Sequence, residues 1–207
     1  MNSGLLRSDD HLMGLNVTIP YKTEIFRHLD ILDPEASAIG AVNVVKIRRE
    51  KDRIILSGYN SDVTGIRDTI YPFIGDNVRN ALILGTGGSS KAVRYVLEKS
   101  GINVCHVSRQ KKPGYITYSE IDSELIRNST LIVNTTPLGM FPDTGTKPDI
   151  NYNELTPHHI LFDLVYNPEL TAFLKAGAER GCIALSGLKM LHSQAEKAWE
   201  IWNNEAL

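Results

Sequence analysis

The sequence predicts an α/β protein: a doubly wound parallel sheet domain joined to a smaller α/β piece. Three observations predict it. From about residue 80 onward, short apolar runs alternate with stretches of helical period. One of the junctions carries a glycine-rich turn, GTGGSS, between an apolar run and a helix. The chain has 207 residues, enough for one large domain or two small ones. Strands that alternate with helices connect by right-handed crossovers, and these cover a parallel sheet on both faces.

The elements follow in order. Leu15–Ile19 reads as a strand. Pro20 suits the first turn of a following helix, where its missing N–H costs nothing, and Ile25, Phe26 and Leu29 give that helix a buried stripe. AVNVVKIRR, a polar EKD turn and RIILSGY read as a hairpin. Asp62–Ile70 reads as a short helix, followed by a loop with Pro72 and Gly75. ALIL is a buried strand, KAVRYVLEKSG a helix with a glycine stop, and NVCHV the next strand. TLIVN and ILFDLV are further strands, separated by the loop PLGMFPDTGTKP. PELTAFLKAGAERG is a helix and CIAL a last short strand. From Gly187 the tail repeats Leu188, Leu191, Ala195, Ala198, Trp199 and Trp202 at helical spacing. The boundaries read from this pattern are residues 78–186 for the nucleotide-type domain and 1–77 for the smaller piece. The C-terminal helix, 187–207, is expected to pack back on that smaller piece.

A formal charge of −2 leaves no electrostatic footprint for nucleic acid or an acidic membrane. Cys105 and Cys182 are too few for a disulfide framework and lack metal-ligand spacing, so they are expected reduced and buried, with no metal bound. No apolar run approaches the roughly 20 residues of a membrane span, and the first residues carry no signal-peptide pattern. A cytoplasmic location is the expectation.

LILGTGGSSKAV is the strongest local signal. Gly85 permits a tight turn, and Gly87 and Gly88 let the backbone approach a pyrophosphate. The helix start then offers free N–H groups and a positive dipole end. A carboxylate at the end of the next strand would hold the ribose 2′-OH of NAD. Here stand Ser108, Arg109, Gln110, Lys111 and Lys112, without an acid. Arginine can grip a phosphate with two parallel hydrogen bonds, so NADP is favoured over NAD and Arg109 is the candidate clamp.

Seven segments stand in the order and approximate spacing of one family: NVTIPYK, GAVNVV, GYNSDVTG, LGTGGSSKAV, NTTPLGM, FDLVYNPELTAFL and GLKMLHSQAEKAW. Together they resemble shikimate dehydrogenase and the related quinate/shikimate dehydrogenases. The resemblance implies a Rossmann-type NADP-binding domain and NADPH-dependent reduction of 3-dehydroshikimate to shikimate, in chorismate and aromatic amino acid biosynthesis. It implies Lys22 as catalytic lysine and Asp62 as its carboxylate partner. Thr18, Asn43, Tyr166 and Gln194 would contact the substrate. Gly85, Thr86, Gly87, Gly88 and Ser89 would form the pyrophosphate loop, Arg109 the 2′-phosphate clamp. Leu164 and Gly187 would meet the nicotinamide end.

Taken singly, each residue has a plainer reading. Lys22 could be solvated, Asp62 could serve its helix dipole, Asn43 could be a turn residue, Tyr166 a core aromatic and Gln194 a surface residue. The family carries a longer stretch before NVTIPYK, with the first strands of the substrate domain and a Ser-x-Ser motif for the substrate carboxylate. Only thirteen residues precede Gly14 here, and Ser3 and Ser8 are too far apart for that motif. A truncated substrate domain with an uncovered sheet edge is therefore expected. Ser61 replaces the usual Thr before Asp62, and Pro113 and Gly114 shorten the helix expected after Arg109 to a loop. The alternatives are a non-catalytic NADP-binding remnant and a quinate/shikimate enzyme using NAD(P). A homodimer is left open.

Overall fold

The computed structural model describes residues 9–51, 53–75 and 77–204. Two sheets organise it. The smaller is built from β1 (Gly14–Asn16), β2 (Ile31–Leu32), β3 (Val44–Glu50) and β4 (Arg53–Tyr59), in the order β1-β3-β4-β2. β3 and β4 form the antiparallel hairpin expected from the sequence, with Val44 opposite Tyr59 and Glu50 opposite Arg53. Between β2 and β3 lies α1 (Pro34–Ile39). Asp33 caps it by accepting from the N–H of Glu35 and Ala36, and Gly40 ends it at φ 70°. That left-handed conformation suits glycine, which has no Cβ to clash.

The stretch after β1 differs from expectation. The strand ends at Asn16, Ile19–Pro20 is a cis peptide, and a turn leads to a 3₁₀ helix at Glu24–His28. Pro20 thus sits in a turn and not in a helix's first turn. Ile25 is buried all the same, with Phe26 and Leu29 packed beside it.

The larger sheet is wholly parallel. It contains β5 (Asn80–Leu84), β6 (Asn103–Ser108), β7 (Ile116–Thr117), β8 (Leu131–Asn134), β9 (Ile160–Asp163) and β10 (Ile183–Leu185). Their spatial order is β10-β9-β8-β5-β6-β7, the doubly wound order in which strand succession reverses beside the first strand. Two helices lie much where the sequence places them: α2 (Asp62–Ile70) before the sheet and α3 (Gly88–Lys99) after β5. After Arg109 the chain forms more than a loop: β7, a 3₁₀ turn at Tyr118–Glu120 and α4 (Ser123–Asn128). α5 (Ala172–Ala178) starts later than its sequence pattern suggests, because Thr171 caps it by accepting from the N–H of Leu174. α6 (Leu188–Asn203) closes the fold.

One apolar core joins the two sheets. Ile39 and Ala41, beside the small sheet, and Val63, Ile66 and Ile70 of α2 share a buried cluster with Val93 and Val96 of α3, Phe162 of β9 and Met190 of α6. α6 packs back on the smaller sheet. Ala198 and Ile201 cover Val44, and the Trp202 indole N–H donates to the Val45 carbonyl at 3.2 Å. Cys182 is buried, whereas Cys105 is only half-buried. Among the described residues no helix is long and apolar enough to cross a membrane.

Gly65 exposes how tightly α2 and α6 meet. A Cβ there would lie 2.5 Å from the Met190 carbonyl oxygen and 2.9 Å from Met190 Cγ. Gly→Ala within a helix normally gains about 1 kcal/mol. Gly65→Ala is expected to lose about 1–3 kcal/mol instead, through overpacking. Urea unfolding measures this, and an unchanged or raised midpoint contradicts it.

Candidate active site

Lys22 projects from the small-sheet lobe into the cleft at the carboxyl ends of the parallel strands. Its Nζ donates to Asp62 Oδ2 at 2.6 Å, with side-chain exposures of 12% and 4%. Those values exclude a solvated surface lysine. Backbone bonding holds the lysine's position, since its carbonyl accepts from the N–H of Val42 at 2.8 Å. Asp62 opens α2, where the helix dipole favours a negative charge.

The carboxylate is fully met. Asn43 Nδ2 donates to Asp62 Oδ1 at 2.9 Å, and Ser89 Oγ donates to Oδ2 at 3.3 Å. Asn43 is itself buried and oriented, because its Oδ1 accepts from the Ser61 N–H at 2.7 Å. Its Nδ2 also reaches Ser61 Oγ at 3.0 Å and Gln194 Oε1 at 3.4 Å. Ser61 therefore belongs to the cluster, although its place before Asp62 reads in the sequence only as a mild exchange for Thr.

This cluster floors a cavity of about 450 Å³, within the range of small-molecule sites. Thr18, Tyr166, Leu164 and Gly187 lie on its walls together with Lys22, Asn43, Asp62, Ser89 and Gln194. The residues expected to face substrate or nicotinamide thus converge on one cleft. Tyr166 is half-exposed at the rim and so is no core aromatic. A side chain at Gly187 would collide with the Leu164 carbonyl, so these two positions are pressed together.

The glycine turn lies where strand order reverses, between β5 and β8. Gly85 has φ +117°, and a Cβ there would meet Thr135 Oγ1 at 2.5 Å. Gly87, the cap of α3, makes no side-chain cap bond, and among the described residues no atom lies within 4 Å of where its Cβ would be. Open space beside free helix N–H groups fits a pyrophosphate. Past β6 the three basic residues differ. Lys111 pairs with Glu120, whose carboxyl is pulled down to about 2 by the hydrogen bonds from Lys111 and Thr117. Lys112 lies 4.2 Å from the centroid of the Tyr115 ring, itself stacked on His106. Arg109 is exposed and takes part in none of the ion pairs found among the described residues.

Residues 4–45 match the family model for the shikimate dehydrogenase substrate binding domain. A shikimate dehydrogenase (NADP(+)) from Methanococcus aeolicus is 38% identical over 204 residues, covering 91% of this chain and 72% of that protein. The chain belongs to the shikimate dehydrogenase family. Among solved structures, shikimate dehydrogenase from Aquifex aeolicus aligns with a TM-score of 0.81 at 32% identity, covering 98% of this chain and 78% of that one. Shikimate 5-dehydrogenase from Thermus thermophilus, in complex with NADP(H) and shikimate, aligns with a TM-score of 0.81 at 29% identity, covering 97% and 77%. Ser3 and Ser8, too far apart for a Ser-x-Ser motif, lie outside the described residues.

In this family member a second buried polar cluster supports the far wall of the cleft. Asn134 ends β8 and Asp163 ends β9. Asn134 Nδ2 donates to Asp163 Oδ1 at 3.0 Å, and the Val165 N–H donates to the same oxygen at 3.0 Å. Thr171 Oγ1 donates to Asp163 Oδ2 at 2.6 Å. Asn134 Oδ1 accepts from Thr136 N–H and Oγ1 at 3.0 and 2.6 Å. These bonds fix the loops that carry Thr135, Leu164 and Tyr166. The motifs NTTPLGM and FDLVY contain the polar residues at strand ends, yet their purpose is visible only when β8 and β9 lie side by side.

Burial pushes the Asp163 carboxyl up to about 6, against three hydrogen bonds that pull it down. The folded chain then holds this proton more tightly than the unfolded chain. The group's contribution to stability is complete below its ordinary range near 3.8 and is lost as pH rises through about 6. Asp163→Asn is expected to remove that downward slope between about pH 4 and 7 while lowering stability overall, by about 1–3 kcal/mol for the disturbed buried bonds. Urea unfolding across that range checks it, and parallel pH profiles contradict it.

Proposed function

We propose that this chain catalyses the reversible NADPH-dependent reduction of 3-dehydroshikimate to shikimate. The observation that carries the reading is the enclosed Lys22–Asp62 pair, 2.6 Å apart, at the floor of a polar cleft beside the glycine turn. Family membership supplies the substrate class, since the relatives that cover most of this chain are named shikimate dehydrogenase (NADP(+)).

When bound, NADPH supplies the hydride. The chain must hold the cofactor, orient the ring and manage one proton. Negative charge develops on the substrate's ketone oxygen, and the Lys22 ammonium stabilises it by a hydrogen bond and then donates the proton. In the oxidative direction neutral Lys22 accepts that proton from the hydroxyl. Asp62 holds the amine in place, and Asn43 holds Asp62. Asn43, Gln194, Thr18 and Tyr166 offer amide and hydroxyl groups to the substrate's hydroxyls. A site built this way rejects analogues that leave those groups unpaired. The free N–H groups at the start of α3 receive the pyrophosphate, and Arg109 takes the 2′-phosphate.

The test is NADPH formation from shikimate plus NADP. Lys22→Ala is expected to lower kcat at least about 100-fold while NADP still binds. NADP binding with no turnover by the unsubstituted chain would instead support a cofactor-binding remnant. Separately, Arg109→Ala is expected to weaken NADP about tenfold or more, as loss of charge-assisted bonds predicts, and to leave NAD nearly unaffected. Titration with both dinucleotides measures this, and equal losses for the two would remove Arg109 from the phosphate role.

A further inference from the structure

Ser89 stands in the glycine turn, where it was expected to serve the pyrophosphate, but its hydroxyl points elsewhere. It accepts from Lys22 Nζ at 3.1 Å and donates to Asp62 Oδ2 at 3.3 Å. The neighbouring Ser90 behaves differently, closing on the Gly87 carbonyl at 2.7 Å within its own turn. Beside it, a Cβ on Gly88 would lie 2.7 Å from Lys22 Cβ. The lysine's stem therefore rests on Gly88 and its head bonds to Ser89. Two consecutive residues of the dinucleotide turn grip the lysine of the other lobe.

We propose that Ser89 is a positioning residue that aims Lys22 and ties that aim to the dinucleotide turn. This rests on the reaction assigned above. An ammonium has three N–H donors and no acceptor. Asp62 takes one. With that bond alone the remaining two sweep a cone about the Nζ–Oδ2 line. Ser89 Oγ takes the second, and the third is then directed by geometry alone into the cleft. Asn43 cannot replace Ser89, because its Nδ2 is a donor and its Oδ1 is engaged by Ser61.

Ser89 also lies in the first turn of α3, whose N–H groups face the phosphate position. A turn shaped around a pyrophosphate thus fixes the same residue that orients the lysine. Misplacing a proton donor by a fraction of an ångström costs rate without costing substrate affinity. The signature of this role is therefore a fall in kcat with little change in either KM.

The experiment compares the full chain with Ser89→Ala and Ser89→Thr in shikimate oxidation by NADP. It also measures the labelling rate of Lys22 by acetic anhydride, read by peptide mass spectrometry. Ser89→Ala is expected to lower kcat about tenfold, the scale of one lost hydrogen bond to a charged group. KM for NADP and for shikimate should stay within about twofold of the parent. Ser89→Thr, which keeps the hydroxyl, should recover most of kcat. Lys22 in Ser89→Ala should label several-fold faster, as an amine released from one of two anchors. Unchanged kcat with unchanged labelling overturns the proposal. So does a raised KM for NADP with kcat retained, which would return Ser89 to the phosphate. If the unsubstituted chain does not oxidise shikimate, the reaction assignment fails and the labelling comparison alone decides the positioning role: faster labelling supports it and equal rates overturn it.

Discussion

An almost fully enclosed carboxylate has to be met by donors, and the molecule is arranged around meeting Asp62. Removing one partner from a buried ion pair typically costs about 3–5 kcal/mol, so the groups around it are held strongly in register. They come from three separate places. Asn43 arrives at the start of the hairpin strand β3, Lys22 from the turn after β1, and Ser89 from the glycine turn after β5. One carboxylate thereby ties the small sheet, the start of α2 and the glycine turn to each other.

The opposite wall follows the same logic with a second carboxylate. Asp163 is buried at the end of β9 and accepts from Asn134, Val165 and Thr171. Each donor belongs to a strand end, loop or helix cap at the cleft. Satisfied buried polar groups act as fixed points, because breaking any one bond strands its partner in a low-dielectric interior. Between these fixed points lies the space where strand order reverses, which is where open α/β sheets bind ligands. The continuous apolar core below, from Ile66 through Phe162 to Met190, keeps the two walls at a set distance.

Much of this is legible in the residues. The hairpin, α2 and the strands of the parallel sheet declare themselves by apolar period and turn chemistry. The motif residues Lys22, Asp62, Asn43 and Gln194, scattered along the chain, line one cleft. The short elements β2, α1, β7 and α4 are missed, because two to six residues give a period too little length and no glycine-rich turn or long apolar run marks them. α1 spans only Pro34–Ile39, although its Asp cap, first-turn proline and glycine stop are all present in DPEASAIG. The chain between Pro20 and His28 departs from its expected helix because a proline that suits a helix start equally suits a turn.

By itself the sequence determined the fold class, the position of the glycine turn and which residues are candidates to move a proton or grip a phosphate. Those properties are local: residue type, period and spacing along the chain. Only the tertiary structure decided how each group is used. It turned the Ser89 hydroxyl toward Lys22, brought Glu120 against Lys111 while Arg109 stays open, and placed Asn134 beside Asp163. The physical reason is common to all three. A polar side chain's role is set by which partner desolvates and bonds it. For Ser89 that partner stands 67 residues away in the chain, for Asp163 it stands 29 away, and for Lys111 only nine. No local pattern records which of these separations the fold will close.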